Sequence, residues 1–266
     1  MLKRLAILCA LALATPVLAD APKPVFDHVA PKLPSGLHHP AVLILTKANG
    51  YVHDNMPYVA KAVTGLAKSH HWAVYETTNA ATFNPQALKR FDVVVLNNST
   101  GDLFTEDQRA AFKAWIEKGG RVVALHGAGG TDSPPWTWYS DTVIGGRFIG
   151  HPQIQPATIR VEDTKSPIVA GLPVNWAHSD EWYSFDRDPR GPDTHILATV
   201  DETTYQPGDK LRMGADHPII WTRCVAKGGA FFTAIGHQPE NWSDPVFLSH
   251  IDGALVWALD RKHKAC

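Results

Sequence analysis

Cysteine is scarce in this 266-residue chain, which has three. Cys9 falls in an N-terminal apolar stretch, and the remaining Cys224 and Cys266 are too few for a disulfide framework and too far apart for a zinc knuckle. They are left as a candidate pair in an oxidising compartment. Cys224 sits inside Ile219-Ile220-Trp221-Thr222-Arg223-Cys224-Val225, a run that reads as a buried strand and not as the setting of a reactive thiol. Runs of like charge are also missing, and the formal net charge is only -1. No basic field is available for phosphates, so nucleic acid is excluded as a partner, and no polybasic patch marks a membrane anchor. No Gly-x-Gly-x-x-Gly follows the first strand-like run, which disfavours a dinucleotide cofactor, and there is no His-Glu-x-x-His metal motif.

What is present begins with a leader. Met1-Leu2-Lys3-Arg4 is a positive start, Leu5 to Ala14 is apolar, and Val17 and Ala19 occupy the positions a signal peptidase inspects. About 10 apolar residues cannot span a bilayer core that needs roughly 20. Residues 1–19 are therefore expected to be a cleaved signal peptide, which places the mature protein in the periplasm or outside the cell, with no membrane contact after cleavage. Residues 20–40 carry Pro, Lys and His without a sustained period and read as an extended, loosely held leader to a single domain over 41–266.

Within that domain four apolar runs alternate with helical patterns. Ala41–Leu45, Trp72–Glu76, Phe91–Leu96 and Arg121–Leu125 read as strands. Helices are expected over about Met56–Ser69 and from Ala110 to Lys118, the latter following a capping box at Thr105 and Gln108 and ending at Gly119-Gly120. The pattern predicts an α/β fold, a three-layer doubly wound and mostly parallel sheet, with its ligand site beyond the carboxyl ends of the strands. The second half adds strand-like runs at Ala157–Val161, Ile196–Val200, Pro218–Cys224 and Gly229–Ile235, and a final helix over Pro245–Leu259.

Two loops after first-half strands carry histidine: Gly50-Tyr51-Val52-His53-Asp54 and His126-Gly127-Ala128-Gly129-Gly130. The second has the shape of a strand followed by a tight glycine-rich elbow, which presents one side chain. A histidine there can act as base, acid or metal ligand. Later loops hold His151, Asp180-Glu181-Trp182-Tyr183, His217 and His237. Carboxylates beside Trp rings can have their pKa raised by desolvation. Nine Trp is a high count for one domain, and loop aromatics such as Trp138, Trp182 and Tyr183 suit flat amphipathic ligands such as sugar rings.

These blocks, together with Trp136-Thr137-Trp138-Tyr139, Asp201-Glu202-Thr203-Thr204-Tyr205, Asp216-His217-Pro218-Ile219 and Asp244-Pro245, resemble the ThuA-like family of trehalose utilisation, within the class I glutamine amidotransferase-like superfamily. The resemblance runs from about Ala41 to Leu259. It implies a flavodoxin-like sheet, carbohydrate metabolism, and association with sugar dehydrogenases, hence a substrate bearing a ring ketone. True amidotransferases place Cys at the elbow and a His-Pro-Glu segment after a late strand. Here His126 stands at the elbow, and His237-Gln238-Pro239-Glu240 carries one extra residue, so thioester chemistry on glutamine is excluded.

The expected function is thus an exported enzyme on a sugar, disaccharide or keto-sugar derivative, working by acid–base chemistry through isomerisation, hydration, elimination or glycoside cleavage. The candidate catalytic residues are His126, His237, Glu181 and Asp180. His53, Trp138, His151, Trp182, Tyr183 and His217 are expected at the substrate, a small-molecule carbohydrate. Two alternatives stand beside it: a hydrolase whose divalent metal ion is held by His53, His126 and His237, and a non-catalytic carbohydrate-binding protein. No motif demands a cofactor.

Overall fold

The computed structural model describes residues 23–130 and 136–260. The expected signal peptide over 1–19 and the pairing of Cys224 with Cys266 lie outside the described residues. Four strands, β1 (Ala41–Leu45), β2 (Ala73–Thr77), β3 (Val93–Asn97) and β4 (Arg121–Leu125), form the first half. Between them run α1 (Met56–Ser69), the short α2 (Pro85–Leu88) and α3 (Glu106–Glu117). The second half contributes β5 (Phe148–Gly150), β6 (Gln155–Val161), β7 (Asn175–Asp180), β8 (Ser184–Phe185), β9 (Thr194–Val200), β10 (Pro218–Val225), β11 (Gly228–Thr233) and α4 (Pro245–Leu259).

One nine-stranded sheet has the order β2-β1-β3-β4-β11-β10-β9-β6-β7, and β5 pairs with β8 in a small separate sheet. The five strands from β2 to β11 are mutually parallel. Every residue of β1, β3, β4 and β11 is buried. Interior strands of a parallel sheet are covered on both faces, which is why they read as unbroken apolar runs and not as alternating ones. Each fully buried Val, Leu or Phe there contributes roughly 1.5–3 kcal/mol relative to exposure. From β11 to β7 the pairing is antiparallel throughout. Four reversals restore the direction, so β7 ends toward the same rim as the parallel strands.

Helix α1 buries Met56, Val59, Ala60, Val63 and Ala67, at the three-to-four spacing of one face. Helix α3 starts at Glu106, directly after the Thr105–Gln108 capping box, earlier than the apolar pattern suggests. Asp244 caps α4 by accepting from the Val246 N–H at 2.8 Å. Helices α1 and α4 pack together against the sheet, as α2 and α3 pack with each other. No helix among the described residues is long and apolar enough to cross a membrane.

Residues 23–40 contain no helix or strand, yet they are tied down across the strand ends. The Asp27 carboxylate meets Lys47 Nζ at 2.8 Å and the Ala80 N–H at 2.9 Å, and Asn49, Gln108 and Asn79 donate to the carbonyls of Val25, Asp27 and Val29.

Candidate active site

Strand β1 lies between β2 and β3, a switch in strand order of the kind beside which open α/β sheets place their ligand sites, at the carboxyl ends. The loops beyond β1, β3, β4 and β11 line that rim. The loop after β1 is held by backbone bonds from Asn49 and Gly50 to the Thr100 carbonyl, and Thr100 Oγ1 donates to the Tyr51 carbonyl at 2.6 Å. Its rigidity fixes His53, which is buried. Burial pushes the His53 pKa down to about 3, and the neighbouring His126 and His237 push the same way. Its ring is therefore neutral at pH 7. Its Nδ1 has no hydrogen-bond partner.

His126 takes the first position after β4 with φ 44, a left-handed conformation that strains a side-chain-bearing residue. Asn98, likewise left-handed at φ 47, sits after β3 and accepts from the Gly127 N–H at 3.2 Å. The elbow inferred from sequence is thus present, and it fixes the imidazole's direction. His126 Nδ1 lies 2.7 Å from the Ala234 carbonyl. A carbonyl can only accept, so Nδ1 carries the proton and the Nε2 lone pair faces the cluster. The Tyr183 hydroxyl donates to that Nε2 at 2.9 Å. His237 Nδ1 is 3.3 Å and Glu181 Oε2 3.4 Å from the same atom.

His237 and Glu181 form a pair at 3.0 Å. The hydrogen bond that His237 donates to the Glu181 carboxylate raises the His237 pKa against the pull of burial. For Glu181, burial works upward, but the adjoining His126 and His237 outweigh it and hold the carboxyl well below the ordinary range. The pKa raised by aromatic neighbours, entertained from sequence, does not occur. His151 Nε2 stands 3.6 Å from the same carboxylate, at the more exposed edge of the cluster.

Asp180 is placed differently. It is fully buried, and its Oδ1 accepts from the N–H groups of Glu181 (2.9 Å) and His237 (3.1 Å) while Oδ2 accepts from Gly236 N–H (2.7 Å) and the Asn241 amide (3.0 Å). His178 Nε2 is 3.3 Å from Oδ2. This carboxylate therefore holds the backbone that carries Glu181 and His237 and has no lone pair turned to a substrate. From the other side Asn55 donates to the carbonyls of Gly236 (2.6 Å) and His237 (2.8 Å).

Two expected substrate contacts, Trp182 and His217, are corrected, and Trp138 makes its ring contacts apart from the cluster. Trp182 is fully buried, with Nε1 donating to the Gln155 carbonyl at 2.9 Å, so it packs the interior and offers no wall to a ligand. His217 is also fully buried, donating from Nε2 to the Tyr183 carbonyl at 2.9 Å and pairing through Nδ1 with Glu202 at 3.0 Å. It positions Tyr183. Trp138 packs on Trp136 at 5.3 Å and under the Lys113 ammonium at 5.2 Å, on the α3 side of the molecule. His53, His126, His237, Glu181, His151 and Tyr183 do converge. Asn55, Asn98 and the Ala234 carbonyl were missed by the sequence reading. Asn55 carried a signal, since it stands at the cap position of α1, but its side chain clamps the Gly236–His237 turn instead of capping the helix.

The sequence matches the family ThuA, described by trehalose utilisation, over residues 41–258. In fold the chain is similar to a ThuA-like protein from Bacteroides uniformis, at 22% identity and TM-score 0.71, covering 89% of this chain and 99% of that one. It is also similar to a ThuA-like protein from Parabacteroides merdae, at 20% identity and TM-score 0.63, covering 83% and 90%. No functionally curated protein matches.

Proposed function

The chain belongs to the ThuA family of trehalose utilisation, and from that premise we propose that it is an exported enzyme that processes an oxidised sugar by proton transfer at the elbow cluster. The family gives a carbohydrate-related role. The reaction is read from one observation: the unprotonated Nε2 of His126 lies within 3.4 Å of a phenol, an imidazole and a carboxylate. A base and an acid are thus held side by side on a rigid elbow, where neither needs to move far to reach a bound ring.

A ring ketone acidifies the adjacent C–H. The Glu181–His237 pair or His126 takes that proton, the C–H electron pair moves toward the ketone, and the resulting enolate either reprotonates or expels the glycosidic oxygen. The departing oxygen receives its proton from Tyr183 or from the imidazolium just formed. Atoms and charge balance without an outside oxidant or nucleophile. The leader read in residues 1–19 supports placing this activity outside the cytoplasm.

The test incubates the protein with trehalose and with its mono-keto derivatives in D2O, followed by mass spectrometry. Deuterium incorporation beside the carbonyl or release of a monosaccharide unit is expected, lost in Glu181→Gln and His126→Ala. Sugar binding by calorimetry without exchange or conversion of any of these compounds would refute the enzymatic reading and leave a carbohydrate-binding protein.

A further inference from the structure

The same cluster contains more than proton transfer needs, and we infer that His53, His126, Glu181 and His237 bind one divalent transition-metal ion. Each offers one ligand atom, and the four atoms all lie within 4.8 Å of one another. Three of them are closer still: His126 Nε2 to His237 Nδ1 at 3.3 Å, His126 Nε2 to Glu181 Oε2 at 3.4 Å, and His237 Nδ1 to Glu181 Oε2 at 3.0 Å. Ligands about 2.1 Å from a common ion are separated by roughly 3.4 Å in tetrahedral and roughly 3.0 Å in octahedral geometry. The donor atoms of His126, His237 and Glu181 already stand at ligand spacing, and that of His53 lies within 4.8 Å of them.

The fourth donor carries the argument furthest. His53 Nδ1 is buried and without a partner, whereas buried polar atoms are nearly always satisfied and each exception needs a reason. A cation bound by the ring, one of whose nitrogens is the fourth donor, would give this otherwise under-satisfied buried imidazole a partner. The supporting bonds fit as well. His126 donates from Nδ1 to the Ala234 carbonyl, which turns the Nε2 lone pair to the cluster, where an ion would replace the Tyr183 hydroxyl as its partner, and ligating histidines use the same arrangement to fix tautomer and direction. Asp180 holds the backbone of the other two donors.

Three imidazoles and one carboxylate favour Zn2+, Co2+, Ni2+, Fe2+ or Mn2+ over the all-oxygen preference of Ca2+ and Mg2+. Such an ion, when bound, polarises a substrate oxygen at an open coordination position. His126 and Glu181 then serve as ligands, and the proton-handling groups left beside them are Tyr183 and His151. The inference shares the location of the carbohydrate reading but does not use the sugar.

The experiment takes the full chain, purified without chelator for elemental analysis, then stripped and titrated calorimetrically with Zn2+, Co2+, Ni2+ and Mn2+ in the absence of sugar. One ion per chain is expected, with a Co2+ visible spectrum typical of nitrogen and oxygen ligation. His53→Ala and, as a milder change, Glu181→Gln should weaken binding roughly tenfold or more, while far-ultraviolet circular dichroism confirms that both fold. His195→Ala, an exposed histidine outside the cluster, should bind like the parent. No stoichiometric binding of any of the four ions, or undiminished binding in both cluster variants, would overturn the inference. Ion binding without sugar conversion would sink the proposed reaction and leave this site standing. A stripped protein that rebinds nothing and still converts sugar would do the reverse.

Discussion

Replacing Asp180 by Asn preserves volume and removes charge, and its consequence follows from counting donors. Oδ1 faces the backbone N–H groups of Glu181 and His237, and Oδ2 faces the Gly236 N–H and the Asn241 amide. An amide has one oxygen to offer. Turned toward Glu181 and His237, it sets its own NH2 against Gly236 and Asn241. Asn241 can rotate to present an oxygen, but the Gly236 N–H cannot. One buried donor is stranded and charge assistance is lost from the other bonds, which predicts a loss of about 2–4 kcal/mol for Asp180→Asn at pH 7 in urea unfolding. Burial works to raise the Asp180 pKa, but the bond from His178, the nearby imidazoles and the Gly236 N–H bring it below its ordinary 3.8. A depressed carboxyl stabilises the fold above its unfolded pKa and loses that contribution as pH falls through the folded value. The gap between parent and variant should therefore be full at neutral pH and narrow below about pH 4. The variant should also bind the cluster's ion more weakly, because the Glu181 and His237 backbones lose their common anchor. A variant within about 0.5 kcal/mol of the parent at pH 7 would refute the reasoning, since that is the scatter of a neutral surface change.

Other perturbations read separate parts of the molecule. In Gly127→Ala the new Cβ would lie 2.6 Å from His53 Cε1, so His53 must shift. A loss of about 1–3 kcal/mol is expected, with reduced ion uptake, and an unchanged thermal midpoint would contradict it. His250 is buried on the inner face of α4, its pKa pushed down to about 3 by burial. The unfolded chain therefore takes up its proton first as pH falls below 6.5, and stability drops by about 1.4 kcal/mol per pH unit over that window. His250→Leu should flatten the dependence of urea stability on pH by one proton, and identical slopes would show the assignment wrong. Trp182→Ala removes a fully buried ring and should cost about 3–5 kcal/mol in chemical denaturation. A variant that kept its stability but lost sugar affinity would return Trp182 to the substrate.

The parallel half of the sheet was legible because its strands are buried on both faces and show as uninterrupted apolar runs. The elbow was legible too, since Leu125-His126-Gly127 joins such a run to glycines. What escaped lies at the sheet's antiparallel edge. Strand β7 reads Asn-Trp-Ala-His-Ser-Asp and buries only Trp176 and Asp180, so no apolar alternation announces it, yet its end delivers Asp180 and Glu181 to the site. Trp182 follows two acidic residues and looked like a loop aromatic. It turns inward because the link from β7 to β8 carries the chain back toward the interior, where Tyr205 packs beside it at 5.8 Å. His217 precedes a strand and was grouped with the rim histidines, but whether an imidazole faces a cavity or another residue's carbonyl depends on tertiary contacts that local sequence does not encode.

His53 separates the two demands placed on the elbow. Both proton transfer and metal ligation require an unprotonated His126 Nε2, and the bond to the Ala234 carbonyl supplies one in either case. An ion bound by His53 gives this imidazole, whose Nδ1 no protein group satisfies, a role that proton transfer does not. Without it the nitrogen stays buried and unpaired beside Gly127, a standing penalty of about 1–3 kcal/mol. A destabilised group retained at a cleft is what the trade between stability and function predicts. His53→Phe removes both nitrogens and keeps an aromatic ring against Tyr51, which now meets the imidazole edge-on at 4.8 Å. The ion-free variant should therefore unfold in urea at least as late as the ion-free parent, while calorimetry shows its affinity for Zn2+ or Mn2+ reduced. If the ion-free variant were instead destabilised by more than about 2 kcal/mol, His53 would be a packed structural residue whose nitrogen carries no penalty, and the argument from its missing partner would fail.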